Sequence, residues 1–292
     1  MKVDFTGRVA VVTGAGGGLG RAHAHLLGSR GARVVVNDLG EAADAVVAEI
    51  RAGGGEAVAC RENVAVPDGA KAIVDAALKN FGRIDVLVNN AGNLRDRSLS
   101  KMTIDDVQSV IGVHLFGSIY CTHAAWPHMM AQRYGRILLT SSTSGLAGNF
   151  GQSNYGAAKA GMVGFMNCLV REGAKNNVLV NALAPSATTR MTENILPPQL
   201  AQHMQPELVA PVVAWLCSEA CTANGDIISA GAGGFQRIRF FQSEGVQFDP
   251  QGDLTPEMVG EAYGRITDMT GAEPLGNQGP AIERRLKSLG RL

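Results

Sequence analysis

The sequence predicts an α/β fold, a parallel sheet doubly wound by helices, and three observations predict it. From residue 8 onward, short β-branched runs alternate with longer helical patterns. Runs such as Val34-Val35-Val36 have no polar face, the pattern of strands buried on both sides. The first run stops at a glycine cluster and a helical pattern follows directly, as in a right-handed βαβ unit.

The elements follow in order. Residues 8–13 form the first strand, with a helix after the glycines. Residues 32–37 form the second, with a helix from about Glu41. Residues 56–60 lead to a helix opening near Pro67, where a proline costs no hydrogen bond. Residues 84–88 stop at Asn89-Asn90-Ala91-Gly92, a turn composition. A long helix is expected over 104–133, a fifth strand over 135–141, a helix over 153–175 and a sixth strand over 178–183. Residues 226–229 are a candidate seventh. Residues 184–205, with Pro185, Pro197 and Pro198, break the rhythm beyond a strand end and read as a lid. The core domain is expected over 1–235. The extension, 236–292, holds two helical patterns, one opened by Thr255-Pro256-Glu257 and one by Pro280.

Composition excludes several functions. With 292 residues, 46% hydrophobic and 18% charged, the chain can bury a large core. Lys plus Arg equal Asp plus Glu at 26 each, which removes the general electrostatic reason to bind nucleic acid or an anionic membrane. Low net charge permits self-association. The five scattered cysteines read as small apolar fillers in a reducing compartment, not as a metal site. Met1-Lys2-Val3-Asp4-Phe5 lacks the apolar run of a signal peptide, and no stretch is long enough to span a bilayer. Gly290-Arg291-Leu292 only approximates the Ser-Lys-Leu peroxisomal address, so the expected location is cytoplasmic.

The glycine cluster carries chemistry. Thr13, Gly14, Gly18 and Gly20 fit the spacing TGxxxGxG, whereas a strict GxGxxG puts Leu19 at its third glycine. Glycines let a pyrophosphate approach main-chain N–H groups at a helix N-terminus, although any tight turn also uses them. Asp38 closes the second strand, where a carboxylate can accept from ribose hydroxyls and repel a 2′-phosphate. Its plain alternative is a solvated turn or helix cap. Arg21 leaves NADP open; NAD is the expected cofactor. Asn90, Ala91 and Gly92 end the fourth strand beside the same place, and turn chemistry alone is their alternative.

Tyr155 and Lys159 share a helix face one turn apart. A nearby ammonium favours the phenolate of a tyrosine that otherwise ionises near pH ~10, making Tyr155 an acid or base. An exposed helix pair is the plain alternative. Ser142 precedes Tyr155 by 13 residues and can bond a substrate oxygen; Ser141 and Ser144 are neighbouring candidates.

These motifs, in this order, resemble the short-chain dehydrogenase/reductase family over roughly residues 5–235. The resemblance implies a Rossmann-type fold and hydride transfer between nicotinamide and a secondary alcohol or ketone, without metal. It makes Tyr155 the proton donor or acceptor, Lys159 also a ribose ligand, and Ser142 the residue that orients the carbonyl. It places Pro185, Thr188 and Thr189 near the carboxamide and Gly14, Gly18, Leu19 and Gly20 on the phosphates. Asn63 and Val64 border the adenine, where Glu62-Asn63-Val64 departs from the usual Asp-Val. His114 stands where the family usually has a catalytic Asn, replacing it through its main chain, or else titrating itself; a packing histidine is its plain alternative.

A narrower resemblance is to (3R)-hydroxyacyl-CoA dehydrogenase units of that family. It rests on 14–21 with 34–40, Val113-His114-Leu115, Ala124-Ala125-Trp126, 148–152 and 186–192. It implies an acyl chain under the lid against Met191, Ile195 and Leu196. Arg237, Arg239 or Arg284-Arg285 would then meet the CoA phosphates. Steroid or other secondary-alcohol dehydrogenases are the rival, and a silent NAD-binding sensor is the rival of another class. The family implies assembly as a homodimer or homotetramer.

Overall fold

The computed structural model describes residues 2–189, 198–276, 282–283, 285–287 and 289–291. Met191, Ile195, Leu196, Pro280 and Arg284 lie outside the described residues. The chain divides into two compact units, Met1–Arg237 and Ile238–Leu292.

The first unit runs β1 (Val9–Val12), α1 (Gly18–Ser29), β2 (Arg33–Asn37), α2 (Ala42–Ala52), β3 (Glu56–Cys60), α3 (Pro67–Phe81) and β4 (Val86–Asn89). It continues α4 (Ile104–Ile111), α5 (Gly117–Gln132), β5 (Gly135–Thr140), α6 (Thr143–Ala147), α7 (Ser153–Gly173) and β6 (Val178–Pro185). Then come α8 (Pro198–Ala201), α9 (Ala210–Cys217), β7 (Ile227–Gly231) and β8 (Gly234–Ile238). The sheet order is β3-β2-β1-β4-β5-β6-β7-β8, and β1 to β7 pair in parallel. Strands β1, β4 and β5 are buried throughout, as their apolar runs require.

The strand order reverses between β1 and β4, the switch point where open α/β sheets bind ligands. The register makes this concrete. Val12 is level with both Val36 and Val88, and Asn89 with Leu139. Thr13, Asp38, Asn90 and Ser142, which follow these strands, therefore gather along one edge.

Two expectations change. The single helix expected over 104–133 is interrupted by a π-helical turn, Gly112–Phe116, between α4 and α5. A wide turn inserts a residue into the 3.6-residue period, and such turns are frequent at functional sites. The start of α4 is fixed locally by a reciprocal cap: Asp106 N–H donates to Thr103 Oγ1 and Thr103 N–H to Asp106 Oδ2, each at 3.1 Å. The sheet also gains β8, joined to β7 by a two-residue turn with positive φ at Ala232 (49°) and Gly233 (77°). An alanine at the first of these positions hides the hairpin from a reading that looks for Asn-Gly.

In the second unit, β9 (Phe241–Gln242) pairs antiparallel with β10 (Glu273–Pro274). Helix α10 (Pro256–Ile266) opens at Thr255, whose Oγ1 accepts from Met258 N–H at 3.3 Å. No helix among the described residues is long and apolar enough to cross a membrane.

Candidate active site

The glycine turn is shaped by what it cannot hold. Gly14 has φ 62°, and a Cβ there would lie 2.7 Å from Ala91 Cα. A Cβ on Gly20 would lie 2.3 Å from the Gly14 carbonyl oxygen. Asn90 locks the turn from the neighbouring strand: its Nδ2 donates to Thr13 O (3.0 Å) and Gly14 O (3.1 Å), and its N–H to Thr13 Oγ1 (3.0 Å). Helix α1 then begins at Gly18 with Gly17 at its N-cap and no side-chain cap. Its first N–H groups, which have no intrahelical acceptor, face the turn unmasked.

Asp38 lines the same cleft. One of its oxygens accepts from Gly16 N–H (2.9 Å), the other from Leu39 N–H (2.8 Å). Arg21, which left a 2′-phosphate open, is paired instead with Glu49 at 2.9 Å. An uncapped helix start, a turn with no room for a Cβ at Gly14 or Gly20 and a carboxylate at the second strand end fit the phosphates and ribose of a nicotinamide dinucleotide.

The cleft holds about 720 Å³. At the turn end it is lined by Gly14, Gly18, Leu19, Asp38, Asn63 and Val64, and along its floor by Asn90, Ala91 and Gly92. His114, Ser142, Tyr155 and Lys159 line it too, as do Pro185 and Thr189, the last against Gly18 of the turn. Two expected residues do not line it. Gly20 lies beneath the turn and acts by lacking a side chain. Thr188 Oγ1 donates to Ala201 O (2.8 Å) and its N–H to Met204 O (2.6 Å), so it ties the two ends of the 184–205 segment together.

The three serines separate by their partners. Ser141 Oγ donates to Lys159 O at 2.8 Å and is fully buried, joining β5 to α7. Ser144 Oγ donates to Gln152 Oε1 at 2.7 Å. Ser142 caps α6, its Oγ accepting from Ser144 N–H at 3.1 Å, and a side-chain hydrogen bond joins it to Tyr155.

The electrostatics differ from the simple expectation of an ammonium lowering a phenol. Burial raises the Tyr155 phenol above its ordinary value; the bond to Ser142 opposes this, and the Asp96 charge adds to it. Lys159 is buried, which pushes it down to about 7; its Nζ donates to Thr140 O, and it has no carboxylate partner among the described residues. A cation that has lost its water gives up its own proton before it can hold a phenolate. Linkage gives this a sign. With the folded pKa far below the unfolded value, stability is complete above about pH 10 and is lost as pH falls through about 7. In cofactor-free protein, urea melts should therefore show wild type gaining on Lys159→Met between pH 7 and 9, by up to about 1 kcal/mol per pH unit. Parallel curves would refute it.

His114 sits in the π turn. Its Nε2 lies 2.7 Å from Asn93 O, while Nδ1 has no partner among the described residues. Burial, with the Lys159 charge behind it and the Asn93 bond opposing, pushes the imidazole to about 3. The ring is neutral at neutral pH, which weighs against titration as its role. It packs edge-on to Tyr155, ring centres 5.1 Å apart, over Gly92, where a Cβ would meet Cε1 at 2.1 Å.

Asn93, Asp96, Asn149 and Gln152 were not singled out from sequence. Asn149 and Gln152 lie within the 148–152 run that carried the narrower resemblance. Nothing in the local pattern marks Asp96. Of the arginines expected to meet CoA phosphates, Arg237 pairs with Asp226, and Arg285 donates to Glu244 O at 3.4 Å.

Comparison with known proteins follows the same lines. Residues 8–199 match the family model of the short chain dehydrogenases. The chain is 50% identical over 303 residues to peroxisomal multifunctional enzyme type 2 of Drosophila melanogaster, covering all of this chain and half the length of that one. The solved full-length structure of that enzyme superposes with TM-score 0.86 at 46% identity, over 99% of this chain and 51% of its own. A 3-oxoacyl-[acyl-carrier-protein] reductase of Synechocystis is 45% identical over 230 residues, 75% of this chain and 92% of its own. A 7α-hydroxysteroid dehydrogenase, solved with NADH and 7-oxo glycochenodeoxycholic acid, superposes with TM-score 0.74 at 29% identity, over 79% and 95% of the two chains.

Proposed function

Because the chain belongs to the short-chain dehydrogenase family of oxidoreductases, we propose that it interconverts a 3-hydroxyacyl thioester and its 3-oxo form with NAD, acting on the 3R alcohol. The observation that carries the reading is one cleft lined both by a dinucleotide cradle and by Ser142, Tyr155 and Lys159.

A bound nicotinamide supplies the carbon that accepts or returns hydride. The chain's own residues do the rest. Ser142 Oγ accepts from Ser144 N–H, so its own proton serves the reacting end, shared between the Tyr155 phenol oxygen and the substrate oxygen it orients. Tyr155 takes or gives the proton at its phenol oxygen. Lys159 and Asn90 flank the nicotinamide side, Asp38 the adenosine ribose, and Gly14, Gly18 and Leu19 the phosphates. His114 substitutes for the family's Asn through its main chain, whose carbonyl accepts from Ser118 Oγ at 2.7 Å.

The thioester class is supported by the names of relatives, a multifunctional peroxisomal enzyme and an acyl-carrier reductase, beside the motif resemblance. The steroid alternative is supported by the bile-acid-bound neighbour. Absorbance assays of NADH formation on (3R)- and (3S)-hydroxybutyryl-CoA and a steroid alcohol separate them. Turnover is expected on the 3R ester. Turnover of the steroid alone, or preference for 3S, would refute the substrate while leaving the dehydrogenase.

Two further proposals accompany this reading. Phe116, the last residue of the π turn, is 46% exposed and stacks with Tyr120 at the start of α5, which supports assembly as a dimer or tetramer. The five unpaired thiols support a reducing compartment, here the cytoplasm. Light scattering, and fractionation of cells expressing a tagged chain, check the two.

A further inference from the structure

Resting on the thioester reading, we infer that Gln152, keyed by Asp96, is the subsite for the second carbonyl of the substrate, the thioester C=O two carbons from the carbinol. Gln152 stands three residues before Tyr155, at the N-cap of α7, lines the cleft and is only 9% exposed. The direction of its amide is dictated by its neighbours. Nε2 donates to Asp96 Oδ2 at 2.7 Å, and an ionised carboxylate can only accept, so nitrogen faces Asp96. The oxygen then faces the other way, accepting from Ser144 Oγ at 2.7 Å and Asn149 Nδ2 at 3.1 Å. Both acceptor sites and one donor are used. One N–H remains without a partner among the described residues, on a side chain largely withdrawn from water, where an unmade bond is costly.

Ser144 links this amide to the reacting end. Its hydroxyl donates to Gln152 and its N–H to Ser142 Oγ, so the Ser142 proton is kept for the reacting end, where it meets Tyr155 and would meet the carbinol oxygen. The cleft wall thus offers two donors, the Ser142 hydroxyl and one Gln152 N–H. A 3-hydroxyacyl thioester brings two oxygens to meet them. A simple secondary alcohol brings one. Asp96 is a positioning residue here: it holds the amide with nitrogen outward and touches no substrate atom.

The test measures NAD-dependent oxidation of the N-acetylcysteamine thioester of (R)-3-hydroxyoctanoate and of (R)-2-octanol. It uses wild type, Gln152→Leu, Asp96→Asn, Asp96→Glu and the Asp96→Asn/Gln152→Leu double variant. Wild type should prefer the thioester. Gln152→Leu should cut that preference about tenfold through KM, because a bond made equally in ground and transition states leaves kcat nearly unchanged. Asp96→Asn should reduce it in the same way, Asp96→Glu should restore it, and the double variant should be no worse than Gln152→Leu alone. If the two substrates lose activity in proportion, or the preference survives, the subsite is refuted while the thioester reading stands. Wild type that oxidises octanol and ignores the thioester refutes that reading and the subsite with it. Melting curves identify a variant that fails to fold; Asp96 is exposed, so its variants keep the test decisive if Gln152→Leu fails.

Discussion

Tyr155→Phe is expected to lower kcat about 10³-fold and to leave NAD affinity within a few-fold of wild type. The substitution removes one oxygen and keeps the ring, so the edge-on contact with His114 at 5.1 Å survives. What disappears is the group that carries the proton, and general acid–base catalysis contributes about 10²–10⁴-fold. Water that takes its place is not held at the reacting oxygen by a positioned side chain, so it is a poor replacement. Stopped-flow or steady-state NADH formation gives the rate, and nucleotide fluorescence the affinity. A variant retaining a tenth of the wild-type rate would remove Tyr155 from the chemistry.

The second large effect concerns cofactor choice. Wild type is expected to favour NAD over NADP about 100-fold in kcat/KM, and Asp38→Ala to narrow the gap to about tenfold or less, each tenfold being about 1.4 kcal/mol. The motive is geometric. The Asp38 carboxylate is pinned by Gly16 N–H and Leu39 N–H at 2.9 and 2.8 Å, so it does not swing away from a 2′-phosphate. Arg21, the cation able to offset it, is engaged by Glu49. Equal kcat/KM for the two cofactors in wild type would show that Asp38 does not meet the ribose.

Much of this was legible beforehand because it is local. The Val34-Val35-Val36 run falls within β2 as read, and α3 opens at Pro67, because β-branched runs and a helix-start proline act over a few residues. The glycine turn was readable because only glycine tolerates φ 62° at Gly14 with Ala91 so close. Tyr155 and Lys159 were readable because helix geometry alone puts them on one face.

The ionisation of that pair was not readable. Tyr-x-x-x-Lys gives proximity, whereas burial of the Tyr155 phenol, which reverses the expected direction, and burial of Lys159 depend on what β5 and α7 enclose together. The same holds for Asp96 and Gln152, 56 residues apart and joined by one bond of 2.7 Å. The π turn at His114 escaped because a single inserted residue barely disturbs an amphipathic period. Residue type and short spacing dictate strands, caps, turns and the chemical inventory of the site, since those depend on dihedral preference and on neighbours within a turn. Which groups lose their water, which way an amide points and which serine faces the cleft depend on packing between distant segments, and the folded chain alone decides them.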